Sequence, residues 1–318
     1  MPRKISHDRL FKELITTFFF EFLQLFVPEI AADVDPHSFE FVNKELISDA
    51  ADGKVYLADI VVKCRFKGSQ RYFLIHIENQ AYSEADFSRR MFNYFSRFIQ
   101  SSGLDVYPIV LFTFDAPLRA EPDSFNVHFP NLEVLTFRFH SIQLNRLNWR
   151  DFVRRPNPIA AALMAKMKIA EGERIYVKLE CLRLLATLKL NPAKSRLIYG
   201  FVNSYLNLSS EENTIFTREI EALAPEEKSP MIELTNDWIE KGKLIGKAAG
   251  KREGKREGIA EGKRQGMFEL LMKIGSKKFG DPSEAVSIEL GQIKETTRLE
   301  ALSDRLDDAK SWQELLAN

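Results

Sequence analysis

Apolar residues near the start of the chain recur every four positions, which predicts an amphipathic helix from Ser6 to about Phe26. The repeating positions are Leu10, Leu14, Phe18, Phe22 and Phe26. Ser6 has a side chain suited to capping this helix, and Pro28 is expected to end it. Alternating apolar residues then predict a first strand over residues 39–47, and acidic residues with Gly53 predict a loop over residues 48–54.

Residues 55–80 form the pattern of a β-hairpin. Two runs of β-branched and aromatic residues flank Lys67-Gly68-Ser69-Gln70, which is typical of a two-residue turn that begins with glycine. With Gly68-Ser69 as the loop, Asp59 lies directly opposite Glu78, and their Cβ atoms are expected to be about 4.5–5.5 Å apart. Gln80 projects from the same face as Glu78, because side chains alternate along a strand. Two facing carboxylates would repel each other, so we expect a cation between them.

The elements after the hairpin predict a mixed sheet covered by helices. Residues 84–101 carry apolar side chains on one helical face, and Gly103 is expected to stop this helix. Residues 106–114 are almost continuously apolar, which is typical of a strand covered on both faces and reached by a parallel crossover. Residues 132–140 alternate again. The first 150 residues therefore predict the order α-β-β-β-α-β-β.

Beyond Pro158 the pattern predicts only helices, over residues 159–170, 174–190 and 193–208. Residues 209–230 are acidic and polar, which favours a boundary, although 215–223 could form a short helix. A helical tail is expected after residue 266, with helices near 284–290 and 296–316.

Residues 242–266 are an internal repeat with glycine at every fourth position, and they hold seven of the 15 glycines in the chain. Each glycine within a helix costs about 1 kcal/mol relative to alanine, so an isolated stable helix is not expected here. Residues 241–266 contain nine Lys or Arg and three Glu, a net charge of +6. The pattern favours a solvated, partly helical linker. A nucleic-acid tether and a self-association helix remain alternatives.

We therefore predict four parts. They are a core over residues 1–150, a helical extension over 151–230, a basic Gly-x-x-x linker or helix over 231–266, and a small helical module over 267–318. A homo-oligomer formed through the helical C-terminal region is a further expectation.

Composition narrows the class of protein only slightly. Lys plus Arg and Asp plus Glu both number 45, so any basic surface must be local. The two cysteines, Cys64 and Cys181, cannot build a disulfide framework or a cysteine zinc site, which suits a reducing cytoplasm. The charged start of the chain argues against a signal peptide, and the most apolar run, 18–27, is too short and too polar for a membrane span.

Asp59, Glu78 and Gln80 supply hard oxygen ligands, which favour Mg²⁺, or Mn²⁺, over zinc. The five histidines lack the spacing of a zinc site. A magnesium ion held by two carboxylates suits phosphodiester hydrolysis, with Gln80 orienting the water or a phosphate oxygen. The spacing alone leaves an alternative, in which Asp59 and Glu78 are merely charges on an edge strand. His76 shares the predicted face of Asp59, but it is interpreted as structural.

Several motifs together resemble a known family. They are the runs 6–12 (SHDRLFK), 58–61 (ADIV) and 77–80 (IENQ), followed by Arg90-Met91 and Tyr94. These motifs resemble the YhgA-like putative transposases, also called Rpn or recombination-promoting nucleases, of the PD-(D/E)XK nuclease superfamily. The resemblance spans about residues 5–300. It implies an α/β, restriction-endonuclease-like PD-(D/E)XK core followed by an all-α C-terminal region.

The resemblance also implies roles for single residues. Asp59 matches the metal-binding aspartate and Glu78 the second carboxylate, while Gln80 stands where the superfamily usually has lysine. An additional acid is often found in the first helix, where Asp8 or Glu13 would serve. Contacts to DNA or phosphate are expected from Lys12, Arg90 and Tyr94. Two alternatives stay open: a solvated helix face for Asp8, Lys12 and Glu13, and a surface ion pair for Arg90 with Tyr94 in the core.

The hypothesis from sequence is a cytoplasmic, Mg²⁺-dependent DNA endonuclease, a hydrolase that cleaves phosphodiester bonds. The alternative is a catalytically weak nucleic-acid-binding or interaction protein that retains the nuclease fold. The neutral amide of Gln80 favours this alternative, because it cannot supply the charge of a lysine.

Overall fold

A computed structural model describes residues 7–42, 59–293 and 295–317, and it divides the chain into two compact units, Met1–Asn236 and Asp237–Asn318. In the long helix that contains the unit boundary, the side chains of residues 234–253, 256 and 257 lie outside the description. The expected strand 39–47 is described only to residue 42. Ser6, the loop 48–54 and the start of the hairpin also lie outside the described residues.

The expected N-terminal helix consists of three helices. They are α1 (His7–Thr17), α2 (Phe19–Phe26) and α3 (Pro28–Asp33). Phe18 leaves helical geometry between the first two. Helix α2 ends at Phe26, as expected, and Pro28 begins the next helix, α3. Proline suits the first turn, where its missing N–H would have no partner within the helix.

Among the described residues, seven strands form two sheets. The strands are β1 (Glu40–Phe41), β2 (Ile60–Arg65), β3 (Tyr72–Gln80), β4 (Asp105–Phe112), β5 (Ser124–Phe129), β6 (Leu132–Arg138) and β7 (His140–Gln143). The larger sheet has the order β1-β2-β3-β4-β7, and β5 pairs with β6 in a separate two-stranded sheet. Strands β1, β2 and β3 are antiparallel neighbours, whereas β3, β4 and β7 run parallel. The prediction of a mixed sheet is confirmed.

The hairpin register is confirmed, although the turn differs from the prediction. Ile60 pairs with Ile77, and the ladder continues to the pair of Arg65 with Tyr72. The turn lies one residue earlier than expected, since the Ser69 N–H donates to the carbonyl of Phe66 over 3.1 Å. Gly68 is the third residue of this turn and has φ +71°, a conformation that favours glycine. The pairing of the strands is unaffected by the shift.

The crossover after the hairpin follows the prediction. Helix α4 (Phe87–Ser102) ends at Gly103, which has φ +67° and donates its N–H to the carbonyl of Ile99. This is a left-handed helix end for which glycine has no steric penalty. Strand β4 follows, and its residues 109–112 are fully buried between the layers. The sheet therefore has the apolar central strand that the sequence predicts.

The expected strand 132–140 is divided between the two sheets. The chain leaves the β5–β6 pair at Phe139, whose N–H donates to the carbonyl of Asp123. It then continues as β7 beside β4. Strand β5 was not predicted. Its sequence, SFNVHF, alternates polar and apolar residues as a half-buried strand does, so the pattern was present in the sequence; its pairing with β6 has an irregularity at Val127/His128.

The remaining elements of the first unit are helical, as expected. They are α5 (Pro158–Leu163), α6 (Arg174–Thr187), α7 (Pro192–Tyr205) and α8 (Ser210–Glu221). Helix α8 begins within the stretch interpreted as a boundary, because Ser209 and Glu212 form a capping box. Helix α9 (Pro225–Phe279) then includes the whole glycine repeat. The backbone of the repeat is therefore helical throughout, which differs from the expected partly helical linker.

The second unit contains the end of α9 and three short helices: α10 (Glu284–Gly291), α11 (Thr296–Arg305) and α12 (Trp312–Leu316). Its core consists of Leu271, Val286, Leu290, Leu299, Leu302, Leu306, Ala309, Trp312 and Leu315. Within the described residues, no helix is both long and apolar enough to cross a membrane.

Candidate active site

One face of strand β3 presents three polar side chains to α4. His76 is fully buried, with its ring 5.3 Å from that of Tyr94 and 4.9 Å from that of Phe98, both on α4. Glu78 and Gln80 share this face, because they follow His76 at steps of two. The sequence prediction that Glu78 and Gln80 project together agrees with this arrangement, and His76 is packed as a core residue.

Glu78 is a buried carboxylate that lies between a histidine and an arginine. Only 6% of the residue is exposed. Its Oε2 lies 3.4 Å from His76 Nε2, and its Oε1 lies 3.8 Å from Arg90 Nη2. Among the described residues, Oε2 has no hydrogen-bond partner of acceptable geometry. A buried carboxylate oxygen left in this state retains the capacity to bind a cation or a donor.

Gln80 is held by a network at the start of α4. Its Oε1 accepts a hydrogen bond of 2.6 Å from Arg90, and its Nε2 donates to the carbonyl of Tyr82 over 2.7 Å. Arg90 also donates to Glu84 over 2.7 Å. Burial lowers the pKa of Arg90, but the nearby Glu78 carboxylate and other partners outweigh burial and raise the pKa above its ordinary value. Both ends of the Gln80 amide are therefore occupied.

Asp59 lies at the open end of the β2–β3 ladder. It directly precedes β2, and extending the observed register by one pair places it opposite Glu78. Its Oδ2 accepts a hydrogen bond of 2.9 Å from the backbone N–H of Asn79. The side chain of Asn79 approaches Asp8, with 3.5 Å between Nδ2 and Oδ1. Asn79 thus connects a residue of the first helix with the aspartate that precedes β2.

The remaining predicted site residues lie in different surroundings. Asp8 contacts Asn79, which is on the opposite face of β3 from Glu78. Lys12 is half-buried one helical turn after Asp8. Glu13 is exposed and lies about 140° around α1 from Asp8, at 100° per residue. Tyr94 is 5% exposed and packs in the core, which matches the alternative left open by the sequence.

The residues present fit a magnesium ion in part. Within residues 7–42, 59–293 and 295–317, no group of three or more His, Cys, Asp and Glu side chains is arranged to hold a metal ion. Asp59 and Glu78 nevertheless supply two carboxylates, and Oε2 of Glu78 is a buried oxygen without a hydrogen bond. Magnesium is often held by only one or two carboxylates, with waters and phosphate oxygens completing its shell.

A second polar cluster, which the sequence did not reveal, lies at the end of β4. His7 contacts Tyr205 through Nδ1 at 2.7 Å and Thr113 through Nε2 at 3.2 Å. The N–H of Thr113 in turn donates to the carbonyl of Gln80 over 2.9 Å. His7 and Tyr205 are 198 positions apart, so no local pattern connects them. Only the packing of α1 against α7 brings them together.

Comparison with known proteins finds no relative of this chain. No family model, no curated protein and no solved structure matches the chain. The functional interpretation therefore rests on the residues themselves.

Proposed function

We propose that this protein is a Mg²⁺-dependent DNA endonuclease of the recombination-promoting type, built on a PD-(D/E)XK core. The observation that carries this proposal is the placement of Asp59 at the end of the β2–β3 ladder, in register with the buried Glu78. The order of α1 to α3, β1 to β3, α4 and β4 supports the proposal, because it reproduces the α-β-β-β-α-β order of that core.

Each residue of the site has a role in this proposal. Asp59 and Glu78 would hold the metal, and the Asn79 N–H orients the carboxylate of Asp59. The bound metal would activate a water and offset negative charge on the phosphate in the transition state. Arg90 lies 3.8 Å from Glu78 and offsets part of the negative charge at this buried position.

Plasmid nicking with and without Mg²⁺ tests the proposal. We expect Asp59→Asn to reduce Mg²⁺-dependent nicking by at least about tenfold, because a metal ligand is lost. The asparagine oxygen can still accept the Asn79 hydrogen bond, so the fold should persist. Asp105→Asn is the matched control, since Asp105 is exposed and begins β4 at the opposite end of the sheet. Equal nicking by wild type and Asp59→Asn would show that Asp59 is not part of the active site.

The network around Gln80 favours a second candidate, a nucleic-acid-binding protein with weak catalysis or none. The amide of Gln80 is engaged by Arg90 and by the Tyr82 carbonyl, and it carries no charge with which to activate a nucleophile. Salt-dependent retention of DNA without cleavage on any substrate would support this candidate. Mg²⁺-dependent nicking that is lost in Asp59→Asn would exclude it.

A further inference from the structure

A cleft with a volume of about 470 Å³ opens at the carboxyl end of β4, outside the Asp59 and Glu78 pair. Its wall comes from the loop after β4, the segment after β7, the connection between α5 and α6, and the end of α7. The polar residues that line it include Asp115, Asn145, Lys166, Lys168, Arg174 and Tyr205.

The innermost charge of the cleft is a buried lysine. Lys166 is 7% exposed, and its ammonium lies 5.1 Å from the centre of the Tyr205 ring. Its counter-ion is the carboxylate of Asp115, whose side chain is 86% exposed. A buried ammonium requires a negative partner. An exposed carboxylate loses little when it turns into water, so Asp115 is a counter-ion that an incoming anion can replace.

The wall around Lys166 is held in place by hydrogen bonds. The Asn145 amide donates to the carbonyls of Asp115 and Pro117, which fixes the loop that carries the counter-ion. The hydroxyl of Tyr205 contacts His7, and His7 contacts Thr113 at the end of the sheet. The position of the lysine is therefore set before any ligand arrives, which reduces the entropy lost on binding.

Further cations surround the opening. Lys168 and Arg174 line the cleft, and Arg146 reaches its edge by donating to the carbonyl of Leu118, another lining residue. Arg174 is partly offset by Glu212 at 3.6 Å. Lys168 and Arg146 are exposed. Exposed cations around a buried one form a surface that suits a chain of phosphates better than a single small anion.

The cleft opens at the same edge of the sheet as the candidate active site. Gln80 ends β3, β4 runs parallel beside it, and Thr113 joins the two ends through its bond to the Gln80 carbonyl. We propose that this cleft is a phosphate subsite, in which Lys166, Lys168 and Arg146 bind the backbone of a nucleic-acid strand beside the reaction site. This inference rests on the proposed function, since it assumes a nucleic-acid substrate.

Binding of a short fluorescein-labelled DNA duplex in EDTA, measured by anisotropy across a salt series, tests the proposal. Lys168→Ala and Arg146→Ala should each weaken binding and lower the slope of log affinity against log salt by about one unit. Arg71→Ala is the matched control, because Arg71 is an exposed cation at the opposite end of the sheet, paired with Asp105. It should leave the slope unchanged.

Removing the counter-ion of Lys166 should strengthen duplex binding, the opposite of removing a cation. Asp115→Asn should strengthen duplex binding several-fold, because it frees Lys166, and it should do so more than Asp105→Asn. Both changes remove one exposed carboxylate from an ion pair, so the comparison corrects for net charge. Equal effects of the two aspartate variants, or unchanged slopes in Lys168→Ala and Arg146→Ala, would overturn the proposal. Absence of duplex binding by the wild type would overturn it as well.

Two further measurements distinguish a strand-binding subsite from a site for a small phosphate, and DNA binding from DNA hydrolysis. Inorganic phosphate at matched ionic strength should compete only weakly with the duplex; strong competition that is lost in Lys166→Met would identify a site for a small phosphate and overturn the strand proposal. Nicking is measured separately with Mg²⁺. If Lys168→Ala and Arg146→Ala lower the salt slope but the wild type shows no nicking, the proposed hydrolysis is rejected and the phosphate subsite is supported. If the wild type nicks DNA and the slopes are unchanged, only the phosphate subsite is rejected.

Discussion

Arg90 on α4 donates a hydrogen bond of 2.6 Å to the side-chain oxygen of Gln80 at the end of β3. The same guanidinium lies 3.8 Å from Glu78 and donates to Glu84. The positive charge beside the buried carboxylate thus comes from α4 rather than from β3. Gln80 serves as the acceptor that orients this charge.

The first prediction concerns the pairing of Gln80 with Arg90. Gln80→Lys should lower the free energy of unfolding by about 1–3 kcal/mol, because it removes the acceptor and places an ammonium beside the guanidinium. Adding Arg90→Gln should recover part of this loss, because the lysine then has Glu78 and Glu84 as partners. Urea unfolding of the two single variants and the double variant measures the coupling. Additive losses would show that the two side chains do not interact.

The second prediction concerns His7 and pH. Burial, followed by the charge of Lys166, lowers the pKa of His7 below its ordinary value. The folded protein therefore binds this proton less readily than the unfolded chain. His7 therefore contributes to the free energy of unfolding above its unfolded pKa of about 6.5. This contribution is lost as pH falls through the lowered pKa of the folded state.

Urea unfolding at pH 7.5 and at lower pH measures this contribution. We expect the loss of stability on acidification to be smaller in His7→Gln than in the wild type. His37→Gln is the control, because His37 is exposed, and its acid dependence should follow the wild type. An unchanged pH dependence in His7→Gln would contradict the assigned cause.

The third prediction uses one substitution at two positions of α9. An added Cβ at Gly266 meets nothing within 4 Å, whereas at Gly275 it would overlap the ring of Trp312. Gly266→Ala should stabilise the helix by up to about 1 kcal/mol. Gly275→Ala should cost about 1–3 kcal/mol, because the ring must move within the core of the second unit.

Thermal unfolding of the full chain, followed by circular dichroism, separates the two cases. The midpoint should rise in Gly266→Ala and fall in Gly275→Ala. A loss of stability in Gly266→Ala would indicate that another surface packs closely on the glycine repeat.

The fourth prediction concerns the two thiols. Burial raises the pKa of Cys64 to about 12, and burial likewise raises the pKa of Cys181. Since the thiolate is the reactive form, neither thiol should react with Ellman's reagent in the folded protein at pH 8. Both should react in denaturant. Fast labelling of the native protein would mean that one of these sites opens readily.

Much of the first unit follows from patterns that repeat within a few residues. The two runs of β-branched and aromatic residues that form β2 and β3, together with the glycine between them, predict the hairpin and which of its residues face each other. The position of the turn itself was not determined, because Gly68 suits more than one turn and the ladder ends at Arg65 and Tyr72, which leaves a loop longer than two residues. Gly103 and the apolar β4 likewise predict where α4 ends and that a buried parallel strand follows.

The tertiary structure decided how distant segments meet. Nothing in the alternation of β6 and β7 indicates that the chain leaves one sheet for the other at Phe139. No periodicity assigns Arg90 to Gln80, or His7 to Tyr205. The physical reason is that helical and strand periodicities describe which face of an element is apolar, whereas the partner of a polar side chain depends on which elements pack together. The sequence alone therefore determined most of the elements and the register of β2 with β3, and packing decided which charges lie beside Glu78.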